Sequence, residues 1–505
     1  MVSDEKYFGI TPPRSIETFT ESDISETVCL VEYLDEVSPL ESSQGDQVRQ
    51  IVIGLLRRVI NEWCYETAIS LGASESLARE TRCALVSFGS YKLGGLIGPN
   101  SDMDLVCICP SILTVDAFFT RLVAKLIEIQ SVGKVVAIPT AFTPIIKLTV
   151  NDIEIDLLFS RISKPKVDLV GDDFVADEYL CGTDQRSARA LNGPRVAAKL
   201  LRLVPNLDTW RTSLRAIKHW ANSRQIYSNV TGYFGGIAWA ICVARVCQLY
   251  PNMCASQILP LFYKTMLEND WETTPIQLNE IEHKDNVQYA HFQVWNKESN
   301  RGLMPILTPA FPCQNATDPV TLTTKRVILD ECKRALDICN AHSESTHDDP
   351  SPDEPATHAE HKTLTLDDSP IHEYALNQLF SPISLPTENY IEIHVSGKTE
   401  KVFNRLKGFV ELKLRSLIYG IEKLTNERIQ LRPFPEWTDD ACMRIAYTHT
   451  AAVSALPDLR PAIDKWMRQL AEWNERDEWI GIPFDVQVRT VGNTPPTKKY
   501  KIDEK

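Results

Sequence analysis

Phe88-Gly89-Ser90-Tyr91-Lys92-Leu93-Gly94, followed by Ser101-Asp102-Met103-Asp104-Leu105-Val106-Cys107-Ile108-Cys109, is the stretch on which the reading of this chain turns. Leu85 to Tyr91 reads as a strand running into a small polar turn, where the backbone N–H groups around Gly89 and Ser90 are placed to hold phosphate oxygens. Asp102 to Cys109 reads as a second strand, ended by Pro110. Side chains alternate along a strand, so Asp102 and Asp104 project from one face. A lone pair of this kind is common at strand ends as a solubilising or capping feature.

Working outward, residues 145–150 and 153–159 read as paired strands joined by the turn-forming Asn151-Asp152. Glu154-Ile155-Asp156 repeats the acidic spacing, with Leu157, Leu158 and Phe159 beyond it, a poor setting for a carboxylate without a task. Three convergent carboxylates with no basic neighbour are costly unless a cation neutralises them. Oxygen ligands of this kind select Mg2+ or Mn2+, and two such ions about 3.5–4 Å apart serve in-line phosphoryl displacement.

The rest of the chain bounds what surrounds this site. Val48, Ile51, Val52, Leu55, Leu56 and Val59 predict an amphipathic helix over 45–70, and a second helix is expected from about Val115 to Ile129. From Asp208 to about Thr265 the pattern turns helical, with Gly235-Gly236 opening an apolar helix that runs to Leu249. Residues 341–371 are polar, acidic and poor in apolar side chains, the composition of a flexible linker. After it an alternating strand, Tyr390 to Val395, and a helix from about Glu400 to Lys423 open a small α+β module.

A length of 505 residues calls for two or three domains, because single cores stop growing at roughly 250–300 residues. The net charge of −14 argues against a surface that coats nucleic acid everywhere, yet leaves room for a local basic groove. Arg189, Arg195, Lys199, Arg202, Arg211, Arg215 and Lys218 stand together against Asp208, and Lys398, Lys401, Arg405, Lys407, Lys413 and Arg415 form a second basic stretch. No apolar run approaches the ~20 residues of a bilayer span, and the amino terminus lacks a secretory core, so no membrane partner is expected. The thirteen cysteines include no C-x-x-C pair and read as free thiols, Cys107 and Cys109 as small hydrophobes on one strand face.

The quoted stretch resembles the signature of the polymerase-β nucleotidyltransferase superfamily, and its surroundings resemble the nuclear poly(A) polymerase branch. The likeness includes Tyr7-Phe8-Gly9-Ile10-Thr11-Pro12-Pro13, Leu214-Arg215-Ala216-Ile217-Lys218-His219-Trp220-Ala221, Ile226-Tyr227-Ser228-Asn229 and Leu303 to Pro312, and covers about residues 7 to 435. It implies that Asp102, Asp104 and Asp156 are catalytic and hold Mg2+ or Mn2+. It implies that Phe88, Gly89 and Ser90 contact the nucleotide, and that Lys218 and Tyr227 hold the triphosphate of ATP. Asn192 would meet the sugar or base edge, Gly236 and Ile237 would pack on adenine, Asn229 would help recognise it, and Lys147 would meet the growing RNA end.

The fold expected from this resemblance is α+β and multidomain. A mixed-sheet nucleotidyltransferase domain over 1–200 has first residues that can pack on the central domain. A central helical domain covers 201–345, an acidic linker 346–371, a ferredoxin-like RNA-binding-type domain 372–490 and a disordered tail 491–505. The implied activity is template-independent transfer of AMP from ATP to the 3′ end of pre-mRNA, in the nucleus, beside 3′-end cleavage and polyadenylation factors. Two departures stand out: the loop 95–101 is one residue longer than usual, and Ala190 replaces a common Ser. No Ser/Thr-rich tail follows the last module, so regulation through one is not expected. The rival readings are a related uridylyl- or other terminal nucleotidyltransferase, and a catalytically silent RNA-processing scaffold.

Overall fold

The computed structural model describes residues 7–491 apart from 95–97, 99, 142, 168–175, 300–301, 348–370, 385–388, 427, 450–457 and 472–483. The 95–101 loop, the acidic linker and the tail therefore lie wholly or partly outside the described residues.

The chain opens with helix α1 (Glu21–Val37), which the sequence reading did not single out. Its start is fixed by a reciprocal cap, in which Thr20 and Asp23 satisfy each other's backbone N–H groups. Leu30 and Leu34 seat α1 on the central domain, far along the chain. Helix α2 (Ser43–Ser70) and the short α3 (Glu75–Glu80) follow, and α2 buries Val52, Leu56, Ile60 and Trp63 against the first sheet.

That sheet contains β1 (Ala84–Ser87), β2 (Met103–Cys109), β3 (Val132–Ile138), β4 (Ile145–Val150) and β5 (Ile153–Arg161), in the order β1-β2-β5-β4-β3. Only β2 and β5 run parallel. The expected turn after β1 is instead one helical turn, α4 (Gly89–Lys92), with Gly89 at φ +63 in the left-handed region. The expected 115–129 helix is α5 (Val115–Ala117) and α6 (Val123–Ile127) joined by a π turn over Phe118–Leu122. Asn151 and Asp152 both take positive φ, the geometry of a two-residue hairpin, so β4 and β5 pair directly.

Helix α7 (Gln185–Leu203), capped by Asp184, crosses the opposite face of the sheet and leads into the central domain. There α8 (Leu207–Ser223) buries Trp210, Leu214, Ile217 and Trp220, while α9 (Gly236–Leu249) is apolar nearly all round and is buried at the middle of the bundle. Helices α10 (Ala255–Glu268) and α11 (Leu322–His347) complete it.

Helix α11 runs six residues past 341, so the expected linker begins later than its composition suggested. After it, α12 (Ile371–Leu379) packs on α11 and α1, and Leu379 and Phe380 join the central core. The segment directly after the linker thus belongs with the helices, not with the terminal sheet. The reason is packing: Leu376, Leu379 and Phe380 offer an apolar edge that α1 and α11 accept.

The terminal module runs β6 (Tyr390–Gly397), α13 (Glu400–Thr425), β7 (Ile429–Phe434), β8 (Cys442–His449), α14 (Arg460–Ala471) and β9 (Phe484–Val491). Its antiparallel order β7-β8-β6-β9 is the β-α-β-β-α-β, ferredoxin-like arrangement. Arg224, Glu331 and Arg432 join it to the helices: Glu331 accepts from Arg224 Nε and Arg432 Nη1, each at 2.8 Å. Tyr233 adds a hydroxyl bond to the Pro433 carbonyl at 2.9 Å.

Candidate active site

The parallel pairing of β2 and β5 sets Asp104 directly beside Asp156, and Asp102 lies one residue before β2 begins. The three carboxylates each bring an oxygen within 4.8 Å of the others. Met103, Leu105 and Ile155 point to the opposite, apolar face, so strand alternation both fills the core and lifts the acids out of it. Burial, with help from Asp102 and Asp156, pushes the Asp104 carboxyl up to about 7. A donor set of three carboxylates with this mutual repulsion fits a hard divalent cation.

The expectation that no base stands near the acids is corrected by the register of β4 on β5. Lys147 pairs across from Asp156, and its Nζ donates to both carboxylate oxygens at 2.8 Å. The cross-strand position was hidden in the sequence, where the two residues lie nine apart on different strands.

Beside the acids a cavity of about 440 Å3 opens between the first sheet and the central helices. Phe88, Gly89, Ser90, Asp102, Asp104, Asn192, Lys218, Tyr227, Gly236 and Ile237 line it. Gly89 is required there, since a Cβ would lie 2.0 Å from Asp104 Oδ2 and its φ is positive. A Cβ on Gly236 would meet the Tyr227 hydroxyl at 2.6 Å, so any larger residue at the start of α9 would have to push that hydroxyl aside. Burial lowers the Lys218 pKa while Asp102 works against the shift. Burial first, and Asp102 second, raises the Tyr227 phenol to about 12, so it is a neutral hydrogen-bond donor at neutral pH.

Asn229 is not among the lining residues. It is exposed on the turn before α9, under Gly235, with its Cβ about 3.6 Å from where a Gly235 Cβ would stand. Lys147 and Asp156 stand on the carboxylate side and not in the cavity wall. Sequence reasoning left out Leu93, Gly193, Val196, Ala197, Leu214 and Thr308, which do line it. Val196 lies one helical turn beyond Asn192, a spacing that puts it on the same face of α7. Thr308 fell inside the Leu303–Pro312 segment, but no local pattern marks its side chain.

The sequence pattern of the poly(A) polymerase nucleotidyltransferase domain matches residues 9–204, and that of the poly(A) polymerase central domain matches 209–349. The Schizosaccharomyces pombe poly(A) polymerase pla1 is 34% identical over 423 residues, spanning 83% of this chain and 69% of that protein. The chain belongs to the poly(A) polymerase family. Nuclear poly(A) polymerase 4 of Arabidopsis thaliana is 32% identical over 450 residues, 87% of this chain and 56% of that protein. Nuclear poly(A) polymerase 1 of the same plant is 32% identical over 425 residues, 82% of this chain and 55% of that protein. The chain thus spans a little over half the length of these plant relatives. Among solved structures, the Cid1 poly(U) polymerase with MgGTP aligns at TM-score 0.45 and 15% identity, over 71% of this chain and 99% of that one. A likeness that distant carries no choice of base to this poly(A) polymerase family member.

No helix of the described residues is long and apolar enough to cross a membrane. All thirteen cysteines are free thiols, and Cys107 and Cys109 do share the buried face of β2, 3.5 Å apart.

Proposed function

We propose that this chain is a template-independent polynucleotide adenylyltransferase, adding AMP from ATP to RNA 3′ ends in the nucleus alongside 3′-end processing factors. The observation that carries the reading is the carboxylate triad at the mouth of a cavity that also holds Lys218 and Tyr227. The names of the plant and yeast relatives support the adenylyl choice.

The RNA 3′-oxygen attacks the α-phosphorus of ATP in line, the bond from that phosphorus to the bridging oxygen breaks, and pyrophosphate leaves. Asp102, Asp104 and Asp156 would hold Mg2+ or Mn2+, which when bound lowers the pKa of the attacking hydroxyl and neutralises the departing charge. Lys218 supplies positive charge beside the pyrophosphate, and the Tyr227 hydroxyl donates to a phosphate oxygen. Phe88 and Ile237 provide apolar surface for the base, and Ser90 with the start of α4 offers donors to the triphosphate. Lys147, bonded to Asp156 in the free protein, would give that carboxylate up to the cation and offer its ammonium to the RNA end. Positioning and charge neutralisation supply most of the rate.

Primer extension with an unstructured RNA, Mg2+ and each nucleoside triphosphate in turn tests the reading, with Asp102→Ala/Asp104→Ala as control. Extension with ATP alone, lost in the control, is the expected result. Extension with UTP instead moves the chain to the uridylyl branch, and RNA binding without extension in Mg2+ or Mn2+ makes it a scaffold.

A further inference from the structure

Behind the nucleotide cavity lies a second one of about 310 Å3, between α7 and two loops of the central domain. It falls in the size range of small-ligand sites, roughly 300–1,000 Å3, and is large enough for one nucleoside. Gln185, Arg189 and Asn192 of α7 face into it at steps of four and three, so one stripe of the helix forms the floor. Phe292, Gln293 and Gln314 form the opposite wall.

The chemistry of this lining is specific. Carboxamides pair an acceptor with a donor, the arrangement that matches the N6 and N7 edge of a purine. An aromatic face suits base stacking, and a guanidinium suits a phosphate. The Phe292 ring is held by two neighbouring rings. The His291 ring lies 4.0 Å away, and Phe311 meets it nearly perpendicular at 6.1 Å. His291 is in turn anchored by its Nε2 to the Thr183 carbonyl at 3.2 Å.

Two features tie this cavity to the first. Asn192 lines both, and its Oδ1 is shut away from solvent with no hydrogen-bond partner among the described residues, an acceptor suited to a ligand donor. Thr308, which lines the first cavity, and Gln314, which lines the second, bond each other twice. The Thr308 N–H donates to the Gln314 carbonyl at 2.9 Å, and the Gln314 N–H donates to Thr308 Oγ1 at 3.0 Å. Through this pair, the linings of the two cavities are joined in one hydrogen-bonded unit.

We propose that this second cavity is a purine nucleotide site, with the base against Phe292 and the glutamine carboxamides and the phosphate on Arg189. The nucleotide is either free in solution or part of an RNA strand. The site is read by binding, so it stands or falls apart from the adenylyltransferase reading.

The test is photolabelling of the full chain with azidoadenosine monophosphate, followed by peptide mapping, in the native chain and in Gln293→Trp. Gln293 is exposed at the cavity rim, so the larger ring fills the space without entering the core; circular dichroism and thermal melting check the fold. The expected result is two labelled regions, one near Tyr227–Ile237 and one within His291–Gln314. The second is reduced about tenfold or more in Gln293→Trp while the first persists. Unlabelled AMP that removes the second label better than oligoadenylate identifies a free nucleotide, and the reverse order identifies RNA. Labelling confined to the first region, or a second label unchanged in Gln293→Trp, overturns the proposal.

Discussion

Two places in this molecule gather buried or half-buried charge, and they treat it in opposite ways. At the joint between the helices and the terminal sheet, Glu331 sits 4% exposed between Arg224 and Arg432. Burial there would raise its pKa, but the two guanidiniums outweigh it and the carboxylate stays ionised below its ordinary value. At the β2–β5 edge three carboxylates crowd together with one lysine among them, and Asp104 is driven up to about 7. The joint is a closed account of charge, suited to holding two domains together. The sheet edge is left short of positive charge, suited to a cation and a polyphosphate that arrive later.

The contrast makes predictions that differ in sign between the two regions. Removing Asp102 as Asp102→Ala is expected to lower primer extension by on the order of 10^3-fold or more, without loss of fold. Steady-state extension rates and circular dichroism together check this, and a variant that keeps a tenth of the native rate refutes the assigned role. Glu331→Gln should do the reverse. It leaves the buried Arg224 and the half-buried Arg432 without their carboxylate, a loss of about 3 kcal/mol at the joint. Urea unfolding and limited proteolysis should show the terminal module released early, whereas extension by the folded fraction at low temperature stays within a few-fold of native.

Asp104→Asn tests the unmet charge itself, in the absence of divalent cations. The folded carboxyl keeps its proton up to about pH 7, and an unfolded one releases it near 3.8. The folded state therefore loses stability relative to the unfolded state as the pH rises between those values. At pH 8 the asparagine variant should melt a few degrees above the native chain, and at pH 4 the two should coincide. A native chain that melts higher at pH 8 would sink this account.

Lys147→Ala carries the smallest effect. Lys147 holds the Asp104 pKa down, so its loss should move the acid limb of the extension–pH profile upward by less than about one pH unit. An acid limb that stays in place, or moves to lower pH, would show that Lys147 does not set the charge of the triad.

Much of this was open to reading in the chain itself, for definite reasons. The strand period of two fixed Asp102 and Asp104 on one face, and the Asn151-Asp152 turn fixed the β4–β5 hairpin. The hidden features all depend on what lies across from a residue. Lys147 reaches Asp156 through strand register, and Thr308 reaches the cavity through a loop from another domain. Asn229 was expected at the base, yet the turn before α9 carries it to the exposed side of Gly235. Composition likewise misplaced the helical ends around the linker, because α11 is held by packing on α10 and α12, and α12 by packing on α11 and α1, and not by local preference.

The sequence by itself determined the family, the three acids, the small turn at Gly89-Ser90 and the α+β fold class, since each rests on local geometry, short spacing or an ordered set of motifs. Only the tertiary structure decided which charges are met and which are left unmet. That choice is made by neighbours brought from distant segments: Arg432 across 101 residues to Glu331, and Lys147 across a strand pair to Asp156. Coulomb energies depend on those distances and on burial, and neither is written in the order of residues along the chain.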